Sequence, residues 1–266
     1  MQSSIALTEG KKVYFASDFH LGTPNFESSR KREDKIVRWL DEVKQDAAHI
    51  FLMGDLFDFW FEFATVIPKG FIRFQGKLAE LTDQGIPITF FTGNHDMWMF
   101  DYFTKELGIE IIREPIDISI GEKLFYLGHG DGLGPGDYKY KMLKRVFSNK
   151  VCQWLFGVLH PNIGLGIANA WSRSSRASNE EDGEEFLGKE QEWLWVYSKE
   201  QQAIKPRDYY IFGHRHLPLE LEVDKRAIYM NIGEWVHHCT YGVFDGTSLT
   251  LEEFKEEEKQ GFFREG

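Results

Sequence analysis

Five short segments carry seven residues able to ligate metal, in a fixed order. They are Asp18-Phe19-His20, Gly54-Asp55, Gly93-Asn94-His95-Asp96, Gly128-His129-Gly130 and Gly213-His214-Arg215-His216. Two divalent ions about 3.5–4 Å apart need a bridging carboxylate and a mixed shell of oxygens and imidazoles. Asp18, His20, Asp55 and His216 suit one ion, and Asp55, Asn94, His129 and His214 the other, with Asp55 shared. Donors of this kind without thiolates fit Mn²⁺, Fe²⁺, Zn²⁺ or Co²⁺. Such a pair clamps a phosphate, acidifies a bound water and stabilises the charge of an in-line displacement. His95 follows Asn94 directly and is the candidate for stabilising the transition state or protonating the leaving oxygen. Asp58, three residues past Asp55, is the candidate for orienting the His95 ring.

The elements that must position these residues alternate. Lys12–Ser17, His49–Met53 and Pro87–Thr92 are apolar strand-like runs, and each ends at one of the polar clusters. Glu33–Gln45 and Phe71–Gln84 have helical spacing between them. Alternation of this kind implies βαβ units and a mostly parallel sheet, whose C-terminal strand edge is where ligands bind. Ile116–Gly128 predicts a hairpin with Gly121-Glu122 at its turn and His129 at its exit. Asp208–Phe212 predicts a strand ending at Gly213-His214. Leu219–Ile232 and Tyr241–Phe254 predict antiparallel pairs turning near Asp224-Lys225 and Asp245-Gly246. The charged last dozen residues are expected to be loose.

Between residues 137 and 200 the alternation stops. Tyr138–Val158 shows one helical stripe, Ile163–Trp171 a second and Glu184–Glu200 a third, with a polar, Ser-rich loop at Arg173–Gly183. We expect a helical insertion over the site edge within one domain spanning 1–266. Tyr138–Asn179 holds seven Lys and Arg residues and no Asp or Glu, in a chain of net charge −11. That segregation argues against general nucleic-acid binding and for an anionic partner at one place. Two cysteines, Cys152 and Cys239, are too few for a disulfide framework and suit a reducing compartment. With no signal-like start and no apolar run of about 18 residues, a cytoplasmic protein is expected. No protein partner can be inferred.

Several residues have plainer readings. His49 fits a surface or boundary histidine, His160 before Pro161 a helix break, and His237-His238 a packing or rim role beside Trp235. Asp96 either orients its neighbours or caps a Met97–Phe103 helix, and Asp131 either supports His129 or makes a turn.

The five blocks SDFH, GDLFD, GNHD, GHGD and GHRH resemble the calcineurin-like metallophosphoesterase superfamily and frame residues 17–216. The insertion, HGDGLGPGDYKYKMLKRVF running on to IANAWSRSSRAS, resembles the bacterial UDP-2,3-diacylglucosamine pyrophosphatases of lipid A synthesis. That resemblance implies an α/β fold: a four-layer α-β-β-α metallophosphoesterase sandwich with a helical lid insertion that takes acyl chains. It implies two divalent ions, usually Mn²⁺, and hydrolysis of UDP-2,3-diacylglucosamine to UMP and 2,3-diacylglucosamine 1-phosphate. Another nucleotide or phospholipid-like phosphoester is the alternative substrate. The substrate-binding residues it implies are Asn94, His95, Asp137, Lys139, Arg173, Ser175 and Arg176. Typical members of that pyrophosphatase family carry Arg where this chain has His95. A basic amphipathic lid predicts peripheral contact with the cytoplasmic face of the inner membrane while the nucleotide-linked glycolipid enters.

Overall fold

The computed structural model describes residues 3–135, 138–168 and 185–255, with backbone alone at Ser3 and Lys139. Among the described residues, twelve strands form two six-stranded sheets. In chain order they are β1 (Ser3–Ile5), β2 (Lys12–Ala16), β3 (Ala47–Leu52), β4 (Ile88–Phe91), β5 (Glu110–Ile112) and β6 (Ile116–Ile120). There follow β7 (Lys123–Leu127), β8 (Tyr209–Phe212), β9 (Pro218–Glu222), β10 (Ile228–Ile232), β11 (Thr240–Phe244) and β12 (Leu249–Glu253). One sheet runs β12-β11-β2-β3-β4-β5, and its β2 to β5 are mutually parallel. The other runs β1-β6-β7-β8-β10-β9, with β7, β8 and β10 parallel.

Side chains alternate across a strand, so a run apolar at every position buries both faces of its sheet. β2 does this. Val13 and Phe15 enter the core between the two sheets with Phe51, Phe125 and Ile211. Tyr14 and Ala16 enter a second core with Trp39, Leu78 and Phe103. That second core lies under α1 (Phe26–Val43), α2 (Ile72–Asp83) and α3 (Tyr102–Leu107). A third core packs Leu194 and Trp195 against Tyr210, Phe212 and Tyr229 on the far face of the other sheet. Leu194 and Trp195 belong to the C-terminal helix, Trp193–Ile204. The layers therefore run helix, sheet, sheet, helix, as the resemblance implies. Phe15, Leu52 and Phe90 are fully buried, each worth about 1.5–3 kcal/mol of transfer free energy.

Element boundaries moved where caps outweigh apolar spacing. α1 begins at Phe26, seven residues before the predicted Glu33, because Asn25 caps it by accepting from Ser28 N at 2.9 Å. The Tyr138–Val158 stripe divides into α4 (Tyr138–Phe147) and α5 (Lys150–Gly157), since Asn149 accepts from Val151 N and caps a new helix. α6 occupies residues 161–168, and the rest of the predicted Ile163–Trp171 helix lies outside the described residues. The predicted Glu184–Glu200 helix starts only at Trp193, as α7, after a short 3-10 turn at Lys189–Gln191. The Arg173–Gly183 loop and the last eleven residues also lie outside the described residues.

Candidate dinuclear metal centre

All five motif loops leave the C-terminal ends of strands: Asp18 after β2, Asp55 after β3, Asn94 after β4, His129 after β7 and His214 after β8. Because β2, β3 and β4 are parallel in one sheet, and β7 and β8 in the other, these ends share one edge. The backbone there is unusual. Asp18, His20, Asp55, His214 and His216 all have positive φ, between 42° and 67°. Non-glycine residues enter this region at a cost and stay there when their surroundings over-determine them. Gly54 has φ 96°, and a Cβ on it would come within 2.7 Å of His129 Nδ1. Glycine is thus required where the Asp55 and His129 loops touch.

The side chains converge in three overlapping groups, each with donor atoms within 4.8 Å of one another. These are Asp18, His20 and His216; Asp55, His129 and His214; and His20, Asp55 and His95. Nε2 of His20 and Nε2 of His216 face each other at 3.0 Å. Asp55 Oδ2 lies 3.4 Å from His129 Nε2 and 3.9 Å from His20 Nε2, between the first two groups. Asn94 Oδ1 approaches His129 Nε2 at 3.3 Å. The seven predicted ligands are therefore brought together, with Asp55 central.

Buried hydrogen bonds hold the set. His129 Nδ1 is 2.8 Å from the Met53 carbonyl, so it carries the proton and Nε2 is turned to the cluster. Asp18 Oδ2 accepts from Ser17 Oγ and from His214 N. Asp18 Oδ1 is buried with no hydrogen-bond partner, 3.2 Å from His216 Nε2 and 3.7 Å from His20 Nε2. An orphaned buried carboxylate oxygen facing two imidazole nitrogens fits a divalent cation, as does the hard-oxygen and imidazole donor set.

The electrostatics agree. Burial opposes ionisation of Asp18, yet the adjacent His20 and His216 hold it well below the usual carboxylate range. Burial likewise opposes Asp55, and His129 and His95 pull it down. Burial works against a cationic His129, but the Asp55 carboxylate raises it. Burial and then His129 push His214 down to about 4. Burial also lowers His20, while burial and then the neighbouring Asp55 raise Asp96 to about 7. The lowered Asp18 and Asp55 and the lowered His20 and His214 favour the ligating forms, an ionised carboxylate and a neutral imidazole.

The two predicted catalytic residues adjoin this cluster. His95 N donates to Asp55 Oδ1 at 2.8 Å, tying the loops together. Its ring Nδ1 lies 2.9 Å from the backbone carbonyl of Asp58 and 3.9 Å from the Asp58 carboxylate. The close partner is therefore the carbonyl rather than the predicted carboxylate. The ambiguity at Asp96 is resolved. Its buried carboxylate accepts from Gly93 N at 2.7 Å and Leu56 N at 2.8 Å, binding the Asp55 and Asn94 loops to each other. The helix it was offered as capping starts later, at Tyr102. Asp131 accepts from Tyr140 Oη at 2.6 Å and pairs with Lys144 at 2.7 Å, so it anchors α4 beside His129. No local pattern marks that anchor, because Lys144 and Tyr140 lie on another element.

His49 is at the opposite end of β3, stacked on Phe51 and bonded to Thr89 Oγ1 at 2.9 Å. His160, His237 and His238 are exposed. Asp137, Arg173, Ser175 and Arg176 lie outside the described residues, as does the Lys139 side chain.

The model of the family described as calcineurin-like phosphoesterase matches residues 11–218. The chain belongs to the calcineurin-like phosphoesterase family. It is accordingly a metal-dependent hydrolase, and family membership implies divalent metal ions. The UDP-2,3-diacylglucosamine hydrolase of Porphyromonas gingivalis is 38% identical over 263 residues, covering 93% of this chain and 99% of that one. The same-named protein of Edwardsiella ictaluri is 27% identical over 220 residues, covering 81% and 83%. Among solved structures, Vacuolar Protein Sorting 29 from Cryptosporidium parvum matches with a TM-score of 0.43 and 12% identity, covering 94% of this chain and 100% of that one. No described helix of this phosphoesterase is long and apolar enough to cross a membrane.

Proposed function

We propose that this phosphoesterase hydrolyses the pyrophosphate bond of UDP-2,3-diacylglucosamine, giving UMP and 2,3-diacylglucosamine 1-phosphate. The observation that carries this reading is the near end-to-end match to the P. gingivalis hydrolase, which extends across the helical segment as well as the motifs. Asp18, His20, Asp55 and His216 hold one ion and Asp55, Asn94, His129 and His214 the other, with Mn²⁺ the expected metal. When bound, the ions neutralise the phosphate oxygens and activate the attacking water. The protein supplies the rest. Asp96 and the His95 amide keep the Asp55 and Asn94 loops in register. His95, with Nδ1 committed to the Asp58 carbonyl, presents Nε2 for protonating the leaving phosphate oxygen.

Residues 137–200 act as a lid in this reading. α5 buries no residue, and Trp154, Leu155 and Val158 are 65%, 53% and 63% exposed. Soluble proteins seldom leave so much contiguous apolar surface without a use for it. Acyl chains suit that face. Lys141 and Arg145 on α4 and Lys150 on α5 suit the pyrophosphate or an anionic leaflet. Incubation with UDP-2,3-diacylglucosamine and Mn²⁺ should release UMP. No release by protein that still turns over bis(p-nitrophenyl) phosphate would assign another phosphoester. Sedimentation with anionic vesicles at low salt tests the peripheral contact, and absence of co-sedimentation removes it.

A further inference from the structure

Arg215 stands between the two histidines of the last motif and has no ligating chemistry of its own. Its neighbours His214 and His216 have φ of 67° and 56°, so the turn needs support from outside itself. The support is specific. Arg215 Nε donates to Glu192 Oε2 at 3.1 Å, and the guanidinium sits 4.5 Å from the centre of the Trp193 ring. Glu192 is 2% exposed and accepts from Tyr229 Oη at 3.2 Å through its other oxygen. Tyr229 is fully buried in β10. A carboxylate this deep persists because it is paired and hydrogen-bonded.

Glu192 and Trp193 also mark a particular place in the chain. Glu192 is the N-cap position of α7, where the chain returns from the helical segment to the sheet. Gly134 lies on the outgoing side, before α4, and a Cβ on it would come within 2.8 Å of the Trp193 carbonyl. The outgoing and returning strands of chain thus touch at Trp193, whose ring carries Arg215.

We infer that Arg215 is a positioning residue which, through Glu192 and Trp193, ties both stems of the helical segment to the turn bearing His214 and His216. Metal affinity then depends on how the base of that segment is seated. The inference rests on His214 and His216 being ligands and is independent of which phosphoester is cleaved.

The test is Mn²⁺ titration of the full chain by calorimetry, with melting curves alongside. Arg215→Ala should weaken Mn²⁺ binding about 10–100-fold, the range for groups that orient metal ligands. Arg215→Lys should recover part of that loss, because an ammonium keeps the charge but not the planar fork stacked on an indole. Trp193→Leu, which keeps the ion pair, should weaken binding several-fold. Wild-type affinity in folded Arg215→Ala overturns the inference, whatever its melting temperature. If Arg215→Ala does not fold, Arg215→Lys and Trp193→Leu decide: weakened binding in either supports it, and wild-type binding in both overturns it. His214→Ala serves as the control, since unchanged metal binding there faults the ligand assignment instead.

Discussion

The metal edge and the helical segment over residues 138–168 are held in opposite ways. At the edge, Asp18, Asp55, Asp96 and His129 are buried, and five candidate ligands have left-handed backbones that buried hydrogen bonds impose. The segment has regular backbone and few anchors. Phe156 packs on Phe61 and Trp98, Trp98 Nε1 donates to the Phe147 carbonyl at 2.8 Å, and Asp131 grips Tyr140 and Lys144. Chemistry needs atoms fixed to a fraction of an ångström, and a surface for a flexible apolar ligand does not. The cost of precision is concentrated at the edge, and the segment leaves its apolar face in water.

Four expected outcomes press on this contrast, from the largest effect downward. Asp55→Ala should abolish activity and the binding of both ions, because the shared carboxylate serves both groups. One retained equivalent of Mn²⁺ by elemental analysis would show the two sites to be separable. His95→Ala should retain metal and lower kcat on the order of 10²–10⁴-fold; normal turnover would remove its acid role.

His49 is a control at the other end of β3, half-buried and outside the chemistry of the edge. Burial lowers its pKa from 6.5 to about 4. The unfolded chain therefore binds the extra proton between those values, so this stability is complete above pH 6.5 and is lost as pH falls to 4. The loss amounts to at most about 3 kcal/mol. His49→Gln should flatten the acid side of a denaturation profile while leaving Mn²⁺ binding unchanged. A profile as steep as wild type would place the pH dependence elsewhere. The smallest effect is expected on the lid. Trp154→Ser with Leu155→Ser should move the melting temperature little, since both are exposed, and raise KM for the lipid-linked substrate about tenfold at steady kcat. An unchanged KM would leave that apolar face without its proposed ligand.

Much of this was legible in the chain because the signals are local. Apolar runs such as IFLM and ITFF end at Gly-Asp and Gly-Asn pairs, and that order alone puts the ligands at strand ends. Boundaries were less legible. The first turns of α1 are Phe-Glu-Ser-Ser-Arg-Lys-Arg, without an apolar stripe, and the Asn25 cap starts the helix there. The break at Ser148-Asn149 interrupts a stripe whose spacing runs on regardless.

What the sequence determined by itself is the donor set, its order along the chain and the class of chemistry, since these depend on residue types beside strand ends. What the tertiary structure decided is how the donors are held. The carbonyl of Asp58 rather than its carboxylate meets His95, Asp96 joins two loops, and Glu192 holds Arg215 from 23 residues away. Such partners meet only after two sheets have packed, because a hydrogen bond is chosen by distance and direction in space and leaves no periodic trace along the chain.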